Sequence, residues 1–109
     1  MEQQIVQINF QYRGSAKQFE ATAASVAELF SEIPGLQWKI WLINKETKEA
    51  GGIYLFNDKE HADAYRSSLL FKKIVSNPAY HNFTVKQSDV MEMPGIITNA
   101  PIEIRQNLN

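Results

Sequence analysis

The chain has 109 residues, 44% of them hydrophobic and 21% charged, which suits one domain with one small core and leaves no room for two. A net charge of −1 excludes a chain-wide basic surface for nucleic acid, and the absence of cysteine excludes disulfides, thiolate catalysis and thiolate metal sites. The start lacks the basic residues of a signal peptide, and the longest apolar runs, Ile40–Ile43 and Ile53–Phe56, fall far short of the ~20 residues of a membrane span. The expectation is a cytoplasmic protein with no membrane and no nucleic-acid partner.

Gln4–Tyr12 alternates, with Val6, Ile8, Phe10 and Tyr12 on one face and Ile5, Gln7, Asn9 and Gln11 on the other, so it predicts a strand. Ser15 and Gln18 form a capping-box pattern. Phe19, Ala23, Val26, Phe30 and Ile33 then recur at helical spacing, predicting a helix over 16–32 that Pro34-Gly35 stops. Leu36–Asn44 predicts a second strand, with Leu36, Trp38, Ile40 and Leu42 on one face and Gln37, Lys39, Trp41 and Ile43 on the other. A polar link leads to a third strand, Ala50–Phe56, and the short connection makes the pair a hairpin. Gly51-Gly52 permits a bulge or a close backbone approach.

Asp58 alone, or Asn57 with Glu60, starts a second helix, whose stripe of Ala62, Tyr65 and Leu69 shifts to Leu70, Phe71 and Ile74 after Ser67-Ser68. A kink or break is expected there. Phe83–Val90 predicts a fourth strand. Residues 91–109 carry Ile96, Ile97, Ile102 and Ile104 and are expected to form an arm of the same domain, which otherwise spans 1–90, packed on that domain or on a partner.

The order β-α-β-β-α-β predicts an α+β, ferredoxin-like split βαβ fold, with both helices on one face of an antiparallel sheet. Both faces of the strands carry large apolar side chains. That predicts a homodimer in which a second subunit covers the face without helices.

Two segments carry more than a pattern. Pro34-Gly35-Leu36-Gln37-Trp38-Lys39-Ile40-Trp41 and Glu49-Ala50-Gly51-Gly52-Ile53-Tyr54-Leu55-Phe56, followed by Asn57-Asp58-Lys59-Glu60 and by Ala62, Ala64 and Tyr65, resemble the YdhR-like mono-oxygenase family. The likeness spans about residues 4–66. It implies membership of the dimeric α+β barrel superfamily, a pocket between sheet and helices, and mono-oxygenation of small aromatic compounds. Superfamily members oxidise quinol-like substrates without flavin, haem or metal, the substrate itself supplying the electrons. Such a site needs a dry aromatic slot, a proton acceptor and a donor to developing oxyanions.

Candidates against that list are Asn9, Lys39 and Tyr54 as catalytic groups and Trp38, Trp41 and Tyr65 as substrate-binding groups, placed between the sheet and the second helix. Each also has a structural reading. One tryptophan can be core and the other interface, since they point to opposite faces. Tyr54 can be a core ring with a satisfied hydroxyl. Lys39 can snorkel to solvent or meet Glu49, and the amide row around Asn9 can bond across a dimer. His61 and His81 make no metal motif, and no nucleotide loop is present, so no cofactor and no metal are expected. The functional expectation is a cofactor-independent mono-oxygenase of a small aromatic or quinol-like compound. The alternative is a non-catalytic dimeric small-ligand-binding or stress-associated protein on the same scaffold.

Overall fold

The structure is a computed structural model and describes residues 2–103, so Ile104 of the expected arm lies outside the described residues. Four strands and four helices follow one another as β1 (Gln4–Tyr12), α1 (Ala16–Ser31), β2 (Leu36–Asn44), β3 (Glu49–Phe56), α2 (Lys59–Arg66), α3 (Leu69–Val75), β4 (Tyr80–Asp89) and α4 (Glu92–Ile97). The strands form one antiparallel sheet in the order β2-β3-β1-β4. This is the expected ferredoxin-like α+β fold, with β1 and β3 at the centre. Among the described residues, no helix is long and apolar enough to cross a membrane.

Helix starts follow local chemistry. Ser15 caps α1 with both bonds of the capping box: its hydroxyl accepts from the Gln18 amide at 3.1 Å, and the Gln18 side chain accepts from the Ser15 amide at 3.2 Å. Asp58 caps α2 alone, accepting from the His61 amide at 2.9 Å. The expected interruption at Ser67-Ser68 is a full break: α2 ends at Arg66, and Ser68 accepts from the Phe71 amide to start α3. The break frees α3 to turn its apolar side, Leu70, Phe71 and Ile74, against the core.

The core lies between the helices and one face of the sheet. Val6, Ile8, Phe10 and Tyr12 of β1 meet Ala50, Tyr54 and Phe56 of β3, with Phe30, Ala62 and Tyr65 from the helices. Register settles which residues share this helix-side face. Val6 pairs with Tyr54 and Ile8 with Gly52, and on β2 Lys39 pairs with Tyr54, Trp41 with Gly52 and Ile43 with Ala50. The outer face carries Ile5, Gln7, Asn9 and Gln11 with Ile53, Leu55, Trp38, Ile40 and Leu42.

Two expectations need correction. Leu36 does not share a face with Trp38, because the register shifts between them and Leu36 joins the helix side opposite Phe56. A bulge uses one extra residue and inverts the alternation, which a strict period of two misses. His81 is not in a loop: β4 begins at Tyr80, and His81 pairs with Gln11 across a second irregularity near Asn82, whose φ of 56° is left-handed.

The arm is partly helical and returns to the outer side. The Trp38 indole donates to the Pro101 carbonyl at 2.8 Å, and the Glu103 amide donates to the Gln3 side-chain oxygen at 3.2 Å. Leu55, an outer-face residue, is only 1% exposed, whereas Ile40 remains 48% exposed.

Candidate functional site

A cavity of about 190 Å³ lies between the helix-side face and helices α1 and α3. Its floor is Ile8, Phe10, Gly51, Gly52 and Tyr54. Its roof is Phe19, Val26 and Phe30 of α1 with Leu70 and Ile74 of α3. Lys39 and Trp41 of β2 close one side, and Tyr80 lies on the β4 side. Exposed Leu29, Trp41, Lys73 and Asn77 also line it, so the cavity reaches solvent there. Its size is below the ~300 Å³ usual for drug-sized ligands and above the roughly 150 Å³ that encloses one benzene ring. One aromatic ring with small substituents fits.

The floor exists because of the two glycines. Gly52 sits between Ile8 and Trp41 on the helix-side face. A Cβ there would lie 2.6 Å from Lys39 Cε and 3.3 Å from a Tyr54 ring carbon. The lysine stem therefore runs across the space a side chain would fill. A Cβ on Gly51 would lie 2.0 Å from the Ile8 carbonyl oxygen, so the close pairing of β1 and β3 requires glycine there as well.

Lys39 ends in a cage of rings. Its Nζ is 3.3 Å from the Trp41 ring centroid, 3.8 Å from that of Phe30 and 4.6 Å from that of Tyr54. No carboxylate pairs with it among the described residues. Burial lowers its pKa from 10.5 to about 7, because an apolar surrounding disfavours the charged form. The ring faces attract a cation and act in the opposite direction. The result is an amine in an aromatic cavity whose charge burial disfavours and the ring faces favour. Among the described residues, the only other cationic group lining the cavity is Lys73, and no carboxylate lines it.

Tyr54 and Tyr65 form a buried pair. The Tyr65 hydroxyl donates to the Tyr54 hydroxyl at 3.0 Å, and their rings stand 5.1 Å apart. Burial pushes the Tyr65 phenol up to about 12, with the hydrogen bond to Tyr54 pulling the other way. Burial, and then the neighbouring Tyr65, raise Tyr54 further. Both rings stay neutral at physiological pH and serve as hydrogen-bonding groups rather than bases.

Of the six candidate residues, the fold brings Lys39, Tyr54 and Trp41 to the cavity wall. Tyr65 stands behind Tyr54 and reaches the cavity only through it. Asn9 and Trp38 lie on the opposite face of the sheet. Asn9 is flanked by Gly51 and Thr84, and Trp38 is tied to Pro101. The cavity lies under α1 and under α3, which is the second half of the expected second helix, and not under α2. Phe10, Phe30, Leu70 and Ile74 were not among the candidates. The stripe Phe19-Ala23-Val26-Phe30 was the available signal, since it marks the side of α1 that faces the sheet. His61 bonds the Asp58 carboxylate through Nδ1 at 2.8 Å and is not near the cavity. Among the described residues, no three histidine, aspartate or glutamate side chains are grouped to hold a metal ion.

Comparison with solved structures supports the fold. A variant of SnoaB, a cofactor-independent oxygenase from Streptomyces nogalater, is 15% identical and superposes with a TM-score of 0.66 over 84% of this chain and 96% of its own. The ActVA-Orf6 monooxygenase of Streptomyces coelicolor, solved with nanaomycin D, is 14% identical with a TM-score of 0.59 over 82% and 88%. A dimeric ferredoxin-like protein of unknown function from Jannaschia sp. is 19% identical, with a TM-score of 0.59 over 81% and 99%. A search of curated proteins finds no match. The family model described as "Putative mono-oxygenase ydhR" matches residues 5–101, nearly the whole described chain, and the protein belongs to that family.

Proposed function

We propose that this protein is a cofactor-independent mono-oxygenase of a one-ring, quinol-like aromatic compound, bound in the cavity beside Lys39. The observation that carries the reading is the Lys39 amine. It lies among the Phe30, Trp41 and Tyr54 rings, without a carboxylate partner, in a cavity sized for one ring. Family membership and the named activities of SnoaB and ActVA-Orf6 add support.

The chemistry follows from those groups. In its neutral form Lys39 accepts the proton of a substrate hydroxyl, and the ammonium so formed stays beside the new phenolate. An apolar enclosure strengthens that pairing and admits dioxygen, which is itself apolar. The phenolate supplies electrons to dioxygen, and a C–O bond forms at the ring carbon. The O–O bond then breaks. One oxygen stays on the ring, and the other leaves as water, taking the proton returned by Lys39 and the hydrogen lost from the attacked ring carbon. In this balance a hydroquinone and dioxygen become a hydroxyquinone and water. Tyr54 positions the substrate through its ring and hydroxyl.

The same reading includes a homodimer. The outer face presents Ile5, Trp38, Ile40, Leu42 and Ile53 beside a polar row of Gln7, Asn9 and Gln11, and a second copy placed sheet to sheet would cover both sets. Sedimentation at micromolar concentration is expected to give a dimer, and a stable monomer would contradict this. For the activity, oxygen uptake is measured with substituted hydroquinones and without added flavin. Uptake by the protein that is lost in Lys39→Met supports the reading. Tight binding of the same compounds without uptake identifies a non-catalytic binding protein instead.

A further inference from the structure

We propose that Lys39 is also a nucleophile that condenses with small aromatic aldehydes in the same cavity, forming a covalent imine. This goes beyond the oxygenase reading, because it needs no dioxygen and uses the lysine nitrogen rather than its basicity toward a hydroxyl. Three features of the cavity carry it. Among the described residues no ion pair holds the Nζ, so no carboxylate keeps it protonated, and burial opposes the pull of the ring faces toward the ammonium. It shares the cavity with apolar walls, Ile8, Phe10, Phe30 and Ile74, against which a phenyl ring packs. The stem lies over Gly52, whose missing side chain leaves it room to run along the cavity floor and bring the nitrogen to the cavity wall.

Imine formation requires a neutral amine, and a lysine desolvated in an apolar pocket is one of the recognised ways to obtain one. Burial that brings the pKa to about 7 leaves a large neutral fraction at neutral pH, whereas an exposed lysine is almost wholly protonated. The step balances. The nitrogen lone pair adds to the carbonyl carbon, and a proton moves from nitrogen to oxygen to give a carbinolamine. The C–O bond then breaks, the oxygen leaving as water with the second amine proton. A C=N bond to Lys39 remains. The apolar walls disfavour the water that would reverse the step.

The test uses the intact protein, benzaldehyde and cyanoborohydride under an inert atmosphere. Reduction traps each imine as a benzyl group, and peptide mapping assigns it to a lysine. Lys39 is expected to be labelled about tenfold or more faster than the exposed Lys59 and Lys72 at pH 7. Its labelling rate should rise to half its maximum near pH 7. Labelling of Lys39 no faster than of Lys72, or a pH profile parallel to the exposed lysines, would overturn the proposal. Because oxygen is excluded, slow labelling with a midpoint near pH 7 counts against the imine alone, whereas a midpoint well above pH 7 counts also against the neutral amine that the oxygenase reading uses.

Discussion

Trp38 and Lys39 are neighbours in the chain but belong to different environments. Trp38 lies on the outer face of the sheet, its indole N–H bonded to the arm at Pro101. Lys39 lies on the helix-side face, its amine without a carboxylate partner among the described residues and surrounded by rings. The polar group of Trp38 is satisfied by backbone, which suits a structural part. The polar group of Lys39 is held in an apolar cavity at a cost in solvation, which suits a chemical part. The contrast extends to the whole sheet. Its helix side is dense with aromatic rings around a cavity, and its outer side mixes amides with aliphatic residues that a flat partner surface can cover.

The largest expected effect comes from the glycine floor that makes the helix side possible. Gly51→Ala drives a methyl group into the Ile8 carbonyl, and the strand backbone must separate to admit it. A loss of about 3 kcal/mol or more is expected in urea unfolding. A loss under ~1 kcal/mol would show that the β1–β3 contact is looser than described.

Next is the dependence of stability on pH. The folded pKa of Lys39, about 7, lies below the unfolded value of 10.5. Between them the unfolded chain binds more protons than the folded one, so stability rises with pH across that interval. The burial penalty is complete below pH 7 and is relieved as pH approaches 10.5. The gain is bounded by roughly 5 kcal/mol, and the ring contacts, which favour the cation, reduce it. Lys39→Met has nearly the same shape, and this rise should vanish from its curve of unfolding free energy against pH. A wild-type curve no steeper than that of the variant would show a lysine that is not desolvated.

A smaller effect is expected behind the cavity. Tyr65→Phe removes the donor to the Tyr54 hydroxyl and should cost ~1–3 kcal/mol, read by thermal or urea unfolding. The smallest separates the faces. Asn9→Ala should leave ligand affinity at the cavity unchanged, because its side chain is on the other side of the sheet. A loss of ligand affinity in titration calorimetry would place the site on the outer face and undo the contrast.

Much of this was legible in the sequence, and the rest was hidden for identifiable reasons. The alternation of β1 and the capped stripe of α1 gave the elements their places, and the Ser67-Ser68 interruption marked the break between α2 and α3. The two short family-like segments contain Lys39, Trp41, Gly51, Gly52 and Tyr54, which form much of the sheet side of the cavity. The faces of β2 were not legible. Apolar residues occupy both sides of that strand, so either side could serve as core, and the bulge after Leu36 removes the phase that would have decided. Asn9 was drawn into the candidate site by the same ambiguity: a central strand offers two covered faces, and only its alternation with Ile8 and Phe10, which pair with Gly52 and Ala50 on the helix side, shows which one it occupies. The cage around Lys39 could not be foreseen, since it needs Phe30 from a helix to meet two strands.

The two tryptophans provide the most direct measurement, because the chain has two and the sheet separates them. Each gives one indole N–H resonance, Trp41 reporting on the cavity and Trp38 on the outer face. Titration with a one-ring phenol or hydroquinone is predicted to move the Trp41 resonance and leave Trp38, bonded to Pro101, in place. Movement of Trp38 with Trp41 fixed would contradict the account and put the ligand on the outer face.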